Sequence, residues 1–134
     1  MAQYLLDSDA IIDFLAGVPA TTALLQGLHG QGDRLCTCTV VLAEVYSGLG
    51  PEYESRAESF LRGLRFLPGD PRAGRQAGRW RQRYAREGIA LSTTDALIAA
   101  TAFVHGAAVV TGNIRDFPMD EVFVVAVPRP GSRG

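Results

Sequence analysis

Four acidic residues stand in apolar surroundings where a lone charge is unexpected. Asp7 ends the apolar run YLL, and Glu44 lies inside the run VVLAEV. Asp95 opens the apolar segment DALIAATA, and Asp116 follows the run AVVT within a few residues. Two carboxylates about 5 Å apart repel by roughly 3 kcal/mol at an effective dielectric near 20, so grouped acids either take up protons or bind a cation.

A divalent cation is the functional answer to such a group. Mg²⁺ and Mn²⁺ prefer oxygen ligands, keep several waters and use a few carboxylates together with a substrate phosphate. A metal held in this way can deprotonate water, polarise a phosphoryl oxygen and stabilise the leaving oxygen. Zinc fits less well, because His29 and His105 both stand at the ends of predicted helices. The acids therefore indicate phosphodiester hydrolysis without a covalent protein intermediate.

The acids near the start of the chain also have a non-catalytic interpretation. Asp7, Ser8 or Asp9 could simply cap the helix that follows. Capping is the favoured interpretation for Ser8 and Asp9. For Asp7 the metal site is favoured, because an acid at the end of a buried strand lies at the edge of a sheet where ligands bind.

The later acids have alternatives too. Glu44 could pair with an arginine such as Arg115 or turn towards solvent. Asp95 fits the helix-capping pattern Ser92-x-x-Asp95, which is compatible with a role in catalysis. The run VVTGNIRDF could be a turn and nothing more. It supports a site only because it would bring Thr111, Asn113 and Asp116 to the same edge of the sheet as the other acids.

The spacing of apolar residues predicts strands that alternate with helices. Thr39 is expected to cap the third helix. Strands are predicted at 3–6, 34–38, 107–111 and 122–127, and helices at 10–16, 24–28, 40–46, 53–64, 71–84 and 92–105.

This alternation predicts an α/β fold, a three-layer α/β/α domain with a central parallel sheet of four or five strands. Ligands bind beyond the carboxyl ends of such strands. Asp7 and Asn113 follow strands directly, and Glu44 and Asp95 are expected in the first turns of helices. All of them are therefore expected at one edge of the sheet.

Length and composition limit the possibilities further. The 134 residues fit one domain, predicted at 1–127, followed by a flexible tail at 128–134. The start MAQYLLDSDAIID lacks the basic region of a signal peptide, and no apolar run is long enough to span a membrane. We therefore expect a cytoplasmic protein. Cys36 and Cys38 point to opposite faces of a strand and are expected to be reduced thiols.

Charge limits where a nucleic acid could bind. The net charge of −1 means that any contact with a polyanion must come from a local patch. The thirteen basic residues are all arginine. Several recur at helical spacing beside the stripe of Ala, Trp and Tyr in the fifth predicted helix, and this face is either solvated or binds phosphate or a partner. Its members are Arg72, Arg75, Arg79, Arg83 and Arg86.

With these residues placed, the chain resembles a PIN domain, and more narrowly the VapC-type toxins of VapBC toxin-antitoxin systems, from residue 3 to about 125. The resemblance rests on LLDSDAIIDFLAG, TVVLAEVYSGL, LSTTDALIAATA and VVTGNIRDF. It implies a PIN-like fold and catalytic, metal-binding roles for Asp7, Glu44, Asp95 and Asp116. The residues expected to support the site or the substrate are Ser8, Thr111, Asn113 and Arg115.

The resemblance also implies Mg²⁺ or Mn²⁺ as cofactor, RNA as substrate, a homodimer and inhibition by a small VapB-like antitoxin. One position departs from the pattern, because many relatives have aspartate where this chain has the neutral Asn113. Either Asp116 serves in its place or a second metal binds weakly. The stripe between Tyr53 and Leu64 is a candidate for dimer or antitoxin contact, although core packing explains it as well.

Other functions remain open at this point. A solitary RNA-processing PIN nuclease would share the same acids. A non-catalytic PIN-fold binding module could hold a partner through the arginine face, although the intact acids argue against it. The pattern Asp7-Ser8-Asp9 also resembles the opening of haloacid-dehalogenase-like phosphatases, which use an aspartate nucleophile. Those enzymes normally need a lysine, and this chain contains none.

Overall fold

The sheet is parallel throughout. In the computed structural model, which describes residues 1–128, the strands are β1 (Gln3–Leu6), β2 (Arg34–Thr37), β3 (Arg65–Phe66), β4 (Ala108–Thr111) and β5 (Val124–Ala126). They form one sheet in the order β3-β2-β1-β4-β5. The prediction of four or five parallel strands is confirmed.

Helices flank the sheet and confirm the predicted three-layer α/β/α architecture. Short 3₁₀ turns at Pro51–Tyr53 and Ile114–Asp116 supplement them. The helices are α1 (Ser8–Leu15), α2 (Pro19–Gly30), α3 (Thr39–Gly48), α4 (Glu54–Arg62), α5 (Pro71–Arg86) and α6 (Thr93–His105).

The strand order reverses beside β1. The chain adds β2 and β3 on one side of β1, and then returns to add β4 and β5 on the other. The backbone N–H of Asp7 donates to the carbonyl of Val110 at 2.9 Å, which ties the end of β1 to the end of β4. Ligands bind at such reversal points in open α/β sheets, so the residues that follow β1 and β4 occupy the favoured place for a site.

The core explains why these elements are rigid. Leu5, Leu6, Val109 and Val110 are fully buried, as expected for central strands that are covered on both faces. The predicted stripe of α5 is also buried and packs on α6, with the Trp80 ring edge-on to Phe103 at a centroid distance of 5.7 Å. Gly106 ends α6 in the left-handed conformation, with φ of 68°, which glycine adopts without strain.

Several predicted boundaries and caps are wrong. The two-residue strand β3 was not predicted, because it is too short to show alternation. Helix α1 begins at Ser8, before its predicted start at residue 10. Thr39 does not cap α3: the N-cap is Cys38, which makes no side-chain capping bond. Glu44 is the sixth residue of α3, so it lies in the second turn and not in the first.

The apolar stripe of α4 serves the core. Ala57 and Leu61 are buried, and Phe60 stacks on Phe14 with ring centroids 4.6 Å apart. Tyr53 is exposed but precedes the helix. Core packing, the alternative to a dimer or antitoxin contact, therefore accounts for most of this stripe.

Three further predictions concern the chain as a whole. Cys36 and Cys38 are buried and free, as predicted. Within residues 1–128 no single helix is both long and apolar enough to cross a bilayer. Helices α1 and α2 meet the length and composition criteria only when they are taken together, and the pair is bent by 108°. The predicted tail lies outside the described residues, apart from Pro128.

Candidate active site

Asp7 is the most constrained of the predicted acids. It directly follows β1, is 6% exposed, and is the N-cap of α1. One carboxylate oxygen accepts from the backbone N–H of Ser8 at 2.8 Å, and the other from the Thr111 hydroxyl at 2.8 Å. Burial raises the pKa of Asp7 to about 6, with help from the charges of Asp9 and Asp95 and against the two hydrogen bonds. Capping, the less favoured interpretation for Asp7, is thus correct and coexists with an electrostatically unusual carboxyl, whereas the caps predicted at Ser8 and Asp9 are wrong, because these are the first two residues of α1.

Glu44 approaches the same place from α3. Its carboxylate accepts a long hydrogen bond, 3.3 Å, from the Ser8 hydroxyl. Burial is the main cause that raises its pKa, followed by the charge of Asp95. The alternative partner Arg115 is exposed and forms no ion pair with Glu44 in the part of the chain that the structure describes.

Asp95 projects from the first turn of α6, as predicted. Its backbone N–H donates to the hydroxyl of the N-cap Ser92 at 3.0 Å, which confirms the capping pattern. This bond uses the backbone N–H of Asp95. Burial raises the pKa of the Asp95 carboxyl, a hydrogen bond between its side chain and Ser92 lowers it, and the charges of Asp116 and Asp9 raise it further. Asp116, in the exposed 3₁₀ turn after β4, is therefore near enough to act on Asp95.

Asp9 belongs to the same group, although the sequence favoured a helix cap for it. Its carboxylate accepts from the backbone N–H of Gly112 at 3.0 Å and from the side-chain amide of Asn113 at 3.2 Å. Its charge is among the causes that raise the pKa of Asp7, Glu44 and Asp95. The neutral Asn113 was the signal that could have revealed it, because an amide among acids offers donors that a carboxylate can use.

The acidic side chains lie at the same edge of the sheet, but within residues 1–128 they are not arranged as a coordination shell. Their charges act on one another, and no arginine of the described segment is among the causes of the pKa shifts at Asp7, Glu44 or Asp95. Among residues 1–128, no three Asp, Glu, His or Cys side chains are already arranged as a metal-binding group. The donor chemistry nevertheless fits a hard divalent cation, since all the side chains are oxygen donors, and burial followed by neighbouring acids raises the pKa of Asp7, Glu44 and Asp95.

The arginine face of α5 lies opposite the buried stripe of that helix. Arg72 forms an ion pair with Asp70 at 2.8 Å, and Arg83 pairs with Glu121 at 2.9 Å. Arg75, Arg79 and Arg86 are exposed. This geometry fits a solvated face.

An apolar cavity of about 490 Å³ opens elsewhere on the molecule. Phe14, Leu25, Phe60 and Leu64 line it, together with Arg34 and Arg65, the first residues of β2 and β3. It therefore lies at the opposite edge of the sheet from the acids and shares none of their residues.

Comparison with known proteins gives the class of this fold and site. The family model of the PIN domain matches residues 4–119. The chain belongs to the PIN-domain family.

Individual relatives narrow the class. Ribonuclease VapC10 of Mycobacterium tuberculosis is 33% identical over 129 residues, which cover 96% of each chain. Ribonuclease VapC19 of the same organism is 31% identical over 115 residues, which cover 86% of this chain and 92% of that protein. The structure of DNA-bound VapBC from Salmonella typhimurium matches with a TM-score of 0.81 and 26% identity, covering 96% of this chain and 100% of that one. The resemblance to VapC-type proteins is confirmed.

Proposed function

We propose that this chain is a metal-dependent endoribonuclease, the toxin component of a type II toxin-antitoxin system, which hydrolyses RNA phosphodiester bonds. The observation that carries the proposal is the meeting of Asp7, Glu44 and Asp95 at the strand-order reversal, where neighbouring acids raise their pKa values and no arginine of residues 1–128 is among the causes. The VapC relatives, which are named ribonucleases, support RNA as the substrate. Residues 1–127 would act as one nuclease domain in the cytoplasm.

Asp7, Glu44, Asp95 and Asp116 are proposed to hold Mg²⁺ or Mn²⁺. Such an ion, when bound, would polarise the scissile phosphate and lower the pKa of the attacking water. The protein's part is to bring these carboxylates together and to orient them. Ser8 donates to both Asp7 and Glu44, and Thr111 donates to Asp7, so Ser8 and Thr111 orient these two acids.

The turn after β4 is proposed to meet the RNA. Asn113 and Arg115 are exposed there, beside the acids. A guanidinium can bind a phosphate oxygen through two parallel hydrogen bonds, so Arg115 is suited to position the RNA backbone next to the carboxylates.

A small VapB-like antitoxin and a second copy of this chain are the proposed protein partners. The DNA-bound VapBC structure supports an antitoxin partner for this fold. If no small antitoxin gene adjoined the gene for this chain, a solitary RNA-processing nuclease would be favoured instead.

Direct assay of the purified protein on RNA tests the proposal. We expect cleavage with Mg²⁺ or Mn²⁺ and none with excess chelator. Asp7→Asn and Asp95→Asn should each lower the cleavage rate by about a hundred- to a thousandfold. Glu121→Gln is the matched control, because it also neutralises one carboxylate but lies in an arginine pair.

Three results would contradict the proposal. Cleavage that persists in chelator would contradict the proposed dependence on a metal ion. If the Asp7→Asn or Asp95→Asn variant cut RNA as fast as the parent, the catalytic role assigned to that residue would be wrong. Retention of RNA without any metal-dependent cutting would favour a binding module.

A further inference from the structure

A ring of hydrogen bonds joins the start of α1 to the turn after β4. Asp9 accepts from the Gly112 N–H at 3.0 Å and from the Asn113 side-chain amide at 3.2 Å. The backbone N–H of Asn113 donates to the Thr111 hydroxyl oxygen at 3.0 Å. The Thr111 hydroxyl in turn donates to Asp7 at 2.8 Å. The backbone from residue 7 to residue 9 closes the ring.

The direction of these bonds determines where the Thr111 proton points. A threonine hydroxyl has one proton and two lone pairs. Because the Asn113 N–H occupies a lone pair, the hydroxyl proton is directed to Asp7. The Ser8 N–H holds the other oxygen of Asp7, so both oxygens are fixed and their remaining lone pairs have a defined direction. Groups that orient a ligand in this way commonly change metal affinity about 10- to 100-fold when they are removed.

The pair of Asp9 and Asn113 also accounts for the neutral amide at position 113. The amide donates to the Asp9 carboxylate, whereas a second carboxylate at that position would face Asp9 at hydrogen-bonding distance and repel it. Asn113 is therefore matched to an acid two residues after Asp7.

We propose that Asp9 is a positioning residue: by holding Gly112 and Asn113 it keeps the Thr111 hydroxyl directed to Asp7 and so orients Asp7 for the divalent cation. This inference rests on the proposed function in one respect, that Asp7 binds the cation. It assigns Asp9 a role through hydrogen bonding and not as a ligand.

Calorimetric titration with Mn²⁺ at pH 7.5, without RNA, separates positioning from ligation. Asp9→Ala removes the acceptor and is expected to weaken Mn²⁺ binding by about tenfold or more. Asp9→Asn keeps an oxygen that can accept from Gly112, and is expected to stay within about threefold of the parent. Asp120→Ala, a change at an exposed acid after the 3₁₀ turn, is the control and should leave the affinity unchanged.

A double-mutant cycle tests the route through Thr111. Thr111→Val should weaken Mn²⁺ binding about as much as Asp9→Ala does, because either change frees Asp7 from the ring. Adding Asp9→Ala to Thr111→Val should then have little further effect. Where the parent cleaves RNA, Asp9→Ala should lower kcat and leave KM for RNA within about twofold.

The inference is overturned if Asp9→Asn is as damaging as Asp9→Ala, because the charge itself would then be what matters. It is also overturned if the two effects add fully in the double variant, if Asp9→Ala binds like the parent, or if the parent binds no Mn²⁺. Circular dichroism checks that each variant folds, and Asp9→Ser, which is too short to reach Gly112, replaces Asp9→Ala if that variant does not fold. A parent that binds Mn²⁺ without cutting RNA would refute the proposed function and leave this test intact.

Discussion

Glu121 and Asp7 are carboxylates of one chain in opposite environments. Glu121 accepts from the Trp80 indole N–H at 3.1 Å and from both terminal nitrogens of Arg83, at 2.9 and 3.0 Å. The Arg83 hydrogen bonds are the main cause that lowers the pKa of Glu121 to about 2. Asp7 has two neutral donors and acidic neighbours, and burial raises its pKa to about 6.

The difference lies in what surrounds the carboxylate. At Glu121 a cation within the chain stabilises the charge and joins α5 to the segment before β5. At Asp7 the chain supplies neutral donors, which orient the carboxylate without neutralising it. Of the arginines within residues 1–128, none appears among the causes that act on Asp7, Glu44 or Asp95. Carboxylates with raised pKa values and only neutral donors are typical of functional sites, where a bound ligand supplies the positive charge.

Asp7→Asn should stabilise the metal-free protein, and this is the largest effect that the comparison predicts. Native Asp7 holds its proton more tightly than the unfolded chain does, so stability falls as pH rises from about 4 to about 6 and stays low above that. Raising a carboxyl pKa from 3.8 to about 6 corresponds to about 3 kcal/mol, which is the upper limit of the gain at pH 7.5. Urea unfolding in chelator measures it.

The pH dependence distinguishes this effect from a change in packing. The advantage of Asp7→Asn should be mostly lost by pH 4, where the native carboxyl is protonated and the unfolded one is about half protonated. A gain that is the same at pH 4 and pH 7.5 would contradict the assignment. A loss at pH 7.5 would mean that the hydrogen bond from Thr111 outweighs the charge.

The residues around Asp7 and Asp95 could be predicted because their signals are local. An acid after an apolar run and a Ser-x-x-Asp pattern before one are both visible within a few positions, and the structure has Asp7 after β1 and Asp95 in the first turn of α6. The alternation of strands and helices likewise determined the α/β class. The assignment of metal-binding roles to these acids stays a prediction.

Contacts between distant positions could not be predicted. Asp9 and Asn113 are 104 positions apart, and Trp80 and Glu121 are 41 apart, so nothing in either segment indicates the other. The first-turn position expected for Glu44 was wrong on the predicted boundaries too, since it would be the fifth residue of a helix that begins at residue 40 and is the sixth residue of α3. Strand β3 depends on pairing with β2 and carries no pattern of its own.

Metal binding should offset the cost of burying Asp7 beside other acids, and this is the next largest effect. An ion that binds only the folded state at a hundred times its Kd adds about 2.7 kcal/mol to the free energy of unfolding. The parent at pH 7.5 should show a gain of this size with Mg²⁺ or Mn²⁺. Asp7→Asn should gain much less, whereas Glu121→Gln should gain as much as the parent. An equal gain in Asp7→Asn and in the parent would show that the ion binds elsewhere.

Glu121→Gln should destabilise the protein slightly, and this is the smallest of the three effects. The pair is half in solvent, with side chains 47% and 36% exposed, so we expect the Tm at pH 7 to fall by about 2 to 4 °C. Because the folded pKa of Glu121 lies below its ordinary value, its contribution is complete above about pH 4.5 and is lost as pH falls towards 2. Fluorescence of Trp80, the single tryptophan, follows unfolding directly at this contact.

Glu58→Gln is the matched control for that change. Glu58 pairs with Arg62 one turn along α4, but the two side chains are 54% and 78% exposed and bind nothing else in the described chain. Exposed pairs of this kind contribute about 0.3–0.5 kcal/mol, so the Tm should change by no more than about 2 °C. If Glu121→Gln shifted the Tm no more than Glu58→Gln does, the cluster of Trp80, Arg83 and Glu121 would be an ordinary surface ion pair. The contrast between Glu121 and Asp7 would then depend only on the environment of Asp7 and its neighbouring acids.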